Sequence, residues 1–135
     1  MTAYGKTFMI AWTSLLLLSG GITNSWATHI SQPILISPKT QYTIGESVIL
    51  HGWVNYNDQA TADVLLNFKV TRPDGSTLAD QSYPSNSEGQ FEFKFETGNE
   101  TPGSYQITIT SHCLEIHRYA CTYKNQSLTI QLKNP

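Results

Sequence analysis

Charged side chains are scarce in this sequence, at 13% of 135 residues, and no run of Lys or Arg interrupts it. A surface without a basic cluster has no patch complementary to a phosphate backbone or an anionic membrane, which argues against nucleic-acid binding. Catalytic signatures are missing as well. There is no Gly-x-Ser-x-Gly elbow, no His-Glu-x-x-His, no P-loop and no Cys-x-x-Cys, so an enzyme and a bound cofactor are not expected. Past Ala27 no stretch carries helical periodicity, which excludes a helical bundle and an α/β layer fold. No apolar run reaches the ~20 residues that a spanning helix needs.

The longest apolar run is Phe8 to Leu18, with Lys6 ahead of it and Ser19, Gly20 and Gly21 behind it. Ser25, Trp26 and Ala27 then supply the small-x-small exit of a secretory signal peptide. Cleavage is expected after Ala27, leaving residues 28–135 as one domain with no membrane insertion. No Cys stands just after the apolar core, so a lipid-anchored lipoprotein is not expected. With Lys6 removed, seven basic residues face ten acidic ones, a formal charge of −3. Cys113 and Cys121 are the only cysteines, and in an exported chain they are expected to form one disulfide. The short loop it closes corresponds to roughly 2–3 kcal/mol of chain-closure stabilisation. Leader and cystine together point to a secreted, periplasmic or cell-surface location.

What recurs after Ala27 is alternation of apolar and polar residues, broken by Gly, Pro, Asn and Asp. Short strands are predicted at Ile34 to Ile36, at Ser47 to Val54, and around Val64, Leu66, Phe68 and Val70. A turn at Arg72 to Ser76 leads to a weaker edge strand, Thr77 to Tyr83, stopped by Pro84. Phe91, Phe93 and Phe95 alternate with polar and charged residues. Tyr105, Ile107 and Ile109, then Leu128, Ile130 and Leu132, complete about seven antiparallel strands. Each has one apolar face that only a second sheet can cover, so the prediction is an all-β sandwich. Phe68, Phe91, Phe93 and Phe95 are its expected anchors, and Phe93→Ala should be among the most damaging substitutions.

Tyr42, Gly45, Glu46 and Val48, then Gly52, then Pro73, Asp74 and Gly75, then Gly89 and Phe91, then Pro102, Gly103 and Tyr105 follow one another in order. That order resembles the immunoglobulin-like domains of macroglobulin type and related bacterial and archaeal surface modules, over about Ile34 to Thr110. The resemblance implies an immunoglobulin-like β-sandwich serving as a spacer, an adhesive unit or an interaction surface. Such domains generally stand in tandem arrays, whereas one copy is present here, which shifts the expectation towards partner binding. On physical grounds Gly45 and Gly75 sit where turns need positive φ, and Tyr105 has the placement of a tyrosine corner.

The segment His112 to Cys121 carries the candidate site. The loop is expected to be a stapled hairpin tip projecting from the sandwich, the alternative being that it folds back over the end of the core. Leu114, Ile116, His117 and Tyr119 are unusually apolar for such an exposed loop and form the candidate partner-binding surface. If Cys113 faces Cys121, odd positions oppose odd ones, yet the inward set is odd before the loop and even after it. A bulge within Thr122 to Ser127 would reconcile the two, or the disulfide lies beyond the regular pairing. His112 and His117 are the nearest thing to a metal pair, but their spacing matches no ligand motif and the thiols are expected to be oxidised, so no metal is assigned. Trp53 should face outward with His51, either covered by a neighbouring Lys stem or free to stack on a sugar. Asn99 to Thr101 and Asn125 to Ser127 read as glycosylation sequons of the kind that arise by chance.

The expected function is therefore that of an exported, non-catalytic module for protein–protein interaction or adhesion at the cell envelope. Its partner would be another envelope or extracellular protein. A carbohydrate- or metal-binding module and a structural surface-layer subunit are the alternatives.

Overall fold

The computed structural model describes residues 28–135. The apolar run and the expected cleavage site lie outside the described residues. Ten strands form: β1 (His29–Leu35), β2 (Gln41–Thr43), β3 (Ser47–Tyr56), β4 (Gln59–Ala60), β5 (Leu65–Thr71), β6 (Thr77–Pro84), β7 (Gln90–Glu96), β8 (Gly103–Ser111), β9 (Cys121–Tyr123) and β10 (Asn125–Lys133). Among the described residues a single 3₁₀ turn, Glu115–His117, sits between β8 and β9.

They assemble into two five-stranded sheets. The first runs β4-β3-β1-β9, with β7 also paired to β3, and the second runs β2-β10-β8-β5-β6. The architecture is an all-β sandwich, as the alternation predicted, and it is immunoglobulin-like, as the resemblance implied. It is not wholly antiparallel: β1 pairs with β9, and β2 with β10, in parallel. β1 also begins earlier than expected and Ile36 lies just past it. The reason is that His29 to Ser31 are polar or isolated apolar residues whose pairing is supplied by β9, a partner with no local sequence signal.

The core follows from the period-two pattern. Phe68, Phe93, Tyr105, Ile107, Ile109 and Ile130 are wholly buried. The Phe68 and Phe93 rings stack 4.8 Å apart across the two layers, flanked by Phe91 and Phe95. Gly52 is the one inward position of β3 without a side chain. A Cβ there would stand 2.3 Å from the Phe91 ring and 2.3 Å from the Ile34 carbonyl, so that ring occupies the space the glycine leaves. Gly45 and Gly75 have φ of +105° and +90°, as their turns require. The Tyr105 hydroxyl donates to the Thr101 carbonyl at 2.7 Å, the tyrosine corner expected from sequence.

Candidate functional site

Three segments meet at one end of the sandwich: the start of β1, the β3–β5 connection and the loop from His112 to Ala120. The β3–β5 connection is unusual in its backbone. Asn57, Asp58 and Asp63 all have positive φ, the left-handed region that Asn and Asp tolerate better than other non-glycine residues. Asn57 and Asp58 form the tip of the β3–β4 hairpin, where Tyr56 pairs with Gln59.

The Cys113–Cys121 disulfide is formed. Of the two ways to reconcile the residue parity, the second holds. β8 and β10 keep one register from Asn125 facing Thr110 to Leu132 facing Gly103, without a bulge. The disulfide lies beyond that ladder because β9 leaves it and joins β1 in the opposite sheet. Lys124 makes the crossing: its N–H donates to the Ser31 carbonyl, and its own carbonyl accepts from the Ser111 N–H. The loop is thus no projecting hairpin tip; it folds back over the end of the core, where Leu114 and Cys121 pack.

That fold-back divides the four candidate binding residues into two pairs. Ile116 and Tyr119 are 84% and 90% exposed, and the Arg118 guanidinium lies over the Tyr119 ring at 4.7 Å. Leu114 turns inward, and His117 is half-buried against β1 and β3. Beneath the loop is a cavity of about 440 Å³, bounded by Asp63, Leu65, Leu114, Tyr123, Arg118 and the disulfide. Arg118 is already paired with Glu115 at 2.6 Å.

His117 finds partners that its sequence position did not announce. Its ring stacks on His29 with centroids 3.7 Å apart and planes 18° apart, and its Nδ1 is hydrogen-bonded to the Tyr56 hydroxyl at 2.7 Å. The Asn57 amide settles the other ring. Asn57 Oδ1 accepts the Ile30 N–H at 2.8 Å, so its Nδ2 must face His29, and it donates to His29 Nδ1. An acceptor at Nδ1 places the proton of neutral His29 on Nε2. A ring in that tautomer offers no lone pair at Nε2 for a metal. His112 stands apart, its ring tilted against Tyr123 at 5.3 Å, so His112 and His117 do not converge. Among the described residues no three His, Cys, Asp or Glu side chains gather into a metal site.

Trp53 faces outward from the first sheet, opposite Ile34 on β1 and Gln90 on β7. Lys94 stands opposite Ile49 and not opposite Trp53, which is half-buried. Further along the same face Ile30, Gln32, Asn55, Asn57, Asp58 and Lys124 rim a pocket of about 280 Å³, which Trp53 does not itself line. No family model matches the sequence, and no curated protein matches it. Among solved structures the chain is similar to the CARDB domain of a Pyrococcus furiosus protein, crystallised in complex with di-metal ions. That match has a TM-score of 0.47 and 8% identity, and covers 78% of this chain and 87% of that one.

The sequon at Asn99 falls in the β7–β8 connection, while Asn125 opens β10 opposite Thr110. Neither touches the loop end through a bond among the described residues.

Proposed function

We propose that this domain is an extracytoplasmic, non-catalytic module that binds another protein through the disulfide-closed loop. Ile116 and Tyr119 carry the reading. Two large apolar side chains are held almost fully in solvent on a loop that is stapled covalently and seated on the core. Holding them there lowers the ordering cost at binding, and an exposed Tyr backed by an Arg is a common anchor in interfaces. The disulfide favours an oxidising compartment, consistent with the leader read from sequence. Within the immunoglobulin-like class, the ordered glycines and the tyrosine corner support the macroglobulin-type subtype.

Affinity capture from an envelope extract tests the reading, using residues 28–135 immobilised beside an Ile116→Ala, Tyr119→Ala double variant. The expected result is a partner retained by the wild type and held at least about tenfold more weakly by the variant, since losing an anchor costs roughly 2 kcal/mol. No partner, or equal recovery by both, would count against it.

A second reading rests on Trp53, which shares its face of the sheet with Gln32 and Asn55 at the rim of the neighbouring pocket, an aromatic beside amide side chains that suits a carbohydrate. A thermal-shift screen of glycans separates the two. A sugar at 100 times its dissociation constant adds about 2.7 kcal/mol of stability to the wild type and none to Trp53→Ala. A flat screen removes this reading.

A further inference from the structure

The seat of the disulfide loop depends on a single proton position. His29 Nδ1 accepts from Asn57 Nδ2, and the amide cannot turn over because its oxygen is held by the Ile30 N–H. His29 also donates its backbone N–H to the Ala120 carbonyl at 2.8 Å, the contact that pins the far end of the loop to β1. Its ring carries His117, which belongs to the loop, at stacking distance. We propose that His29, Asn57 and His117 form a proton-operated latch, closed while His29 Nδ1 accepts from Asn57 and released when that nitrogen takes a proton.

A proton on His29 Nδ1 converts the acceptor to a donor, which then faces the N–H of an amide that has no second orientation. A proton on His117 as well places two like charges 3.7 Å apart, with neither ring free to move away while the stack holds. Few groups are placed to offset this. Tyr56 touches both rings and brings no carboxylate to them. The Asp58 carboxylate and the Lys124 ammonium both line the polar pocket beside Ile30 and Asn57, and their charges oppose each other. Glu115 and Arg118, on the loop itself, are paired. Each added proton therefore favours the state in which the loop and the start of β1 separate. Because the β1–β9 seam spans only His29 to Ser31, this end can open without disturbing the core.

The inference does not depend on what the loop binds, and its test reads the loop directly. Amide hydrogen exchange, corrected to protection factors, would be followed from pH 8 to pH 5 on residues 28–135. In the wild type, protection at His29 and across Cys121 to Tyr123 should fall about tenfold towards pH 5, while β5 and β8 stay unchanged. Asn57→Asp retains the oxygen that accepts from Ile30 and tolerates positive φ, but it presents a carboxylate to His29 Nδ1. Its profile should reverse, with protection rising towards pH 5. His29→Phe keeps a ring in the stack without a titrating nitrogen, and its profile should be flat. A flat wild-type profile, an Asn57→Asp profile that falls like the wild type, or a falling His29→Phe profile would overturn the latch.

Discussion

Gly52 illustrates how one missing side chain organises its surroundings. Its neighbours Val48, Leu50 and Val54 all point inward, and in the sequence it reads as one more small residue on that face. In the structure the Phe91 ring fills its place. Gly52→Ala should cost about 1–3 kcal/mol, because neither the ring nor the Ile34 carbonyl can withdraw without moving β1 or β7. Chemical denaturation would show it as a lower midpoint at unchanged slope. A loss under ~0.5 kcal/mol would mean that the ring has room to retreat. The same residue-by-residue view explains what the sequence made legible. Phe91, Phe93 and Phe95 each alternate with a charge, so their burial could be read directly, and Tyr105 followed from its spacing after Pro102 and Gly103. His29 and Asn57 could not be singled out. They lie 28 positions apart, and nothing local marks them as partners of each other, or His29 as the ring on which a loop histidine stacks.

At the scale of elements, the long strands were visible in the sequence and the short ones were not. β2, β4 and β9 contain three, two and three residues, too few for a period to register, and each exists because a longer strand offers it an edge. β9 matters most, since it diverts the chain from one sheet to the other and fixes where the disulfide stands. Replacing Cys113 and Cys121 together by Ser should cost roughly 2–3 kcal/mol through the reopened loop. Exchange protection should fall first along Cys121 to Tyr123 and His29 to Ser31, with β8 and β10 retained. A uniform loss across both sheets would place the cystine at the heart of folding and not at its margin. The outer strands have their own safeguards against pairing with foreign chains. On β7, Gln90 exchanges bonds with Asn86, the Tyr83 hydroxyl donates to the Glu92 carbonyl, and Glu92, Lys94 and Glu96 line the rim. On β6, Gln81 stands opposite Phe68, where an apolar residue would extend the core to an open edge.

Across the whole molecule, titration sets a plateau of stability with two shoulders. The Lys39 ammonium bonded to Glu46, and the Ser76 hydroxyl bonded to Asp74, hold both carboxyls below their ordinary range. Their folded values lie under their unfolded ones, so the stability they supply is present at neutral pH and lost as acid protonates them. Burial pushes the Tyr42 and Tyr83 phenols up, the opposite sign, so alkali favours the unfolded chain once free tyrosine ionises. Melting temperature should therefore decline below about pH 4 and above about pH 10. Between those shoulders His29→Phe should hold level, while the wild type loses with acid the small increment that the closed latch supplies. Equal slopes for the wild type and His29→Phe through neutrality would contradict this.

The two parallel seams give the domain a mechanical grain. β1 runs alongside β9, and β2 alongside β10, each pairing an early strand with one close to the opposite terminus. Traction on the two termini in opposite directions thus acts along these strands, so the bonds bridging each seam share the strain side by side and must slide together instead of opening one after another like a zip. Strung between two anchorages, the sandwich would resist as a stiff link up to the force at which both seams give way.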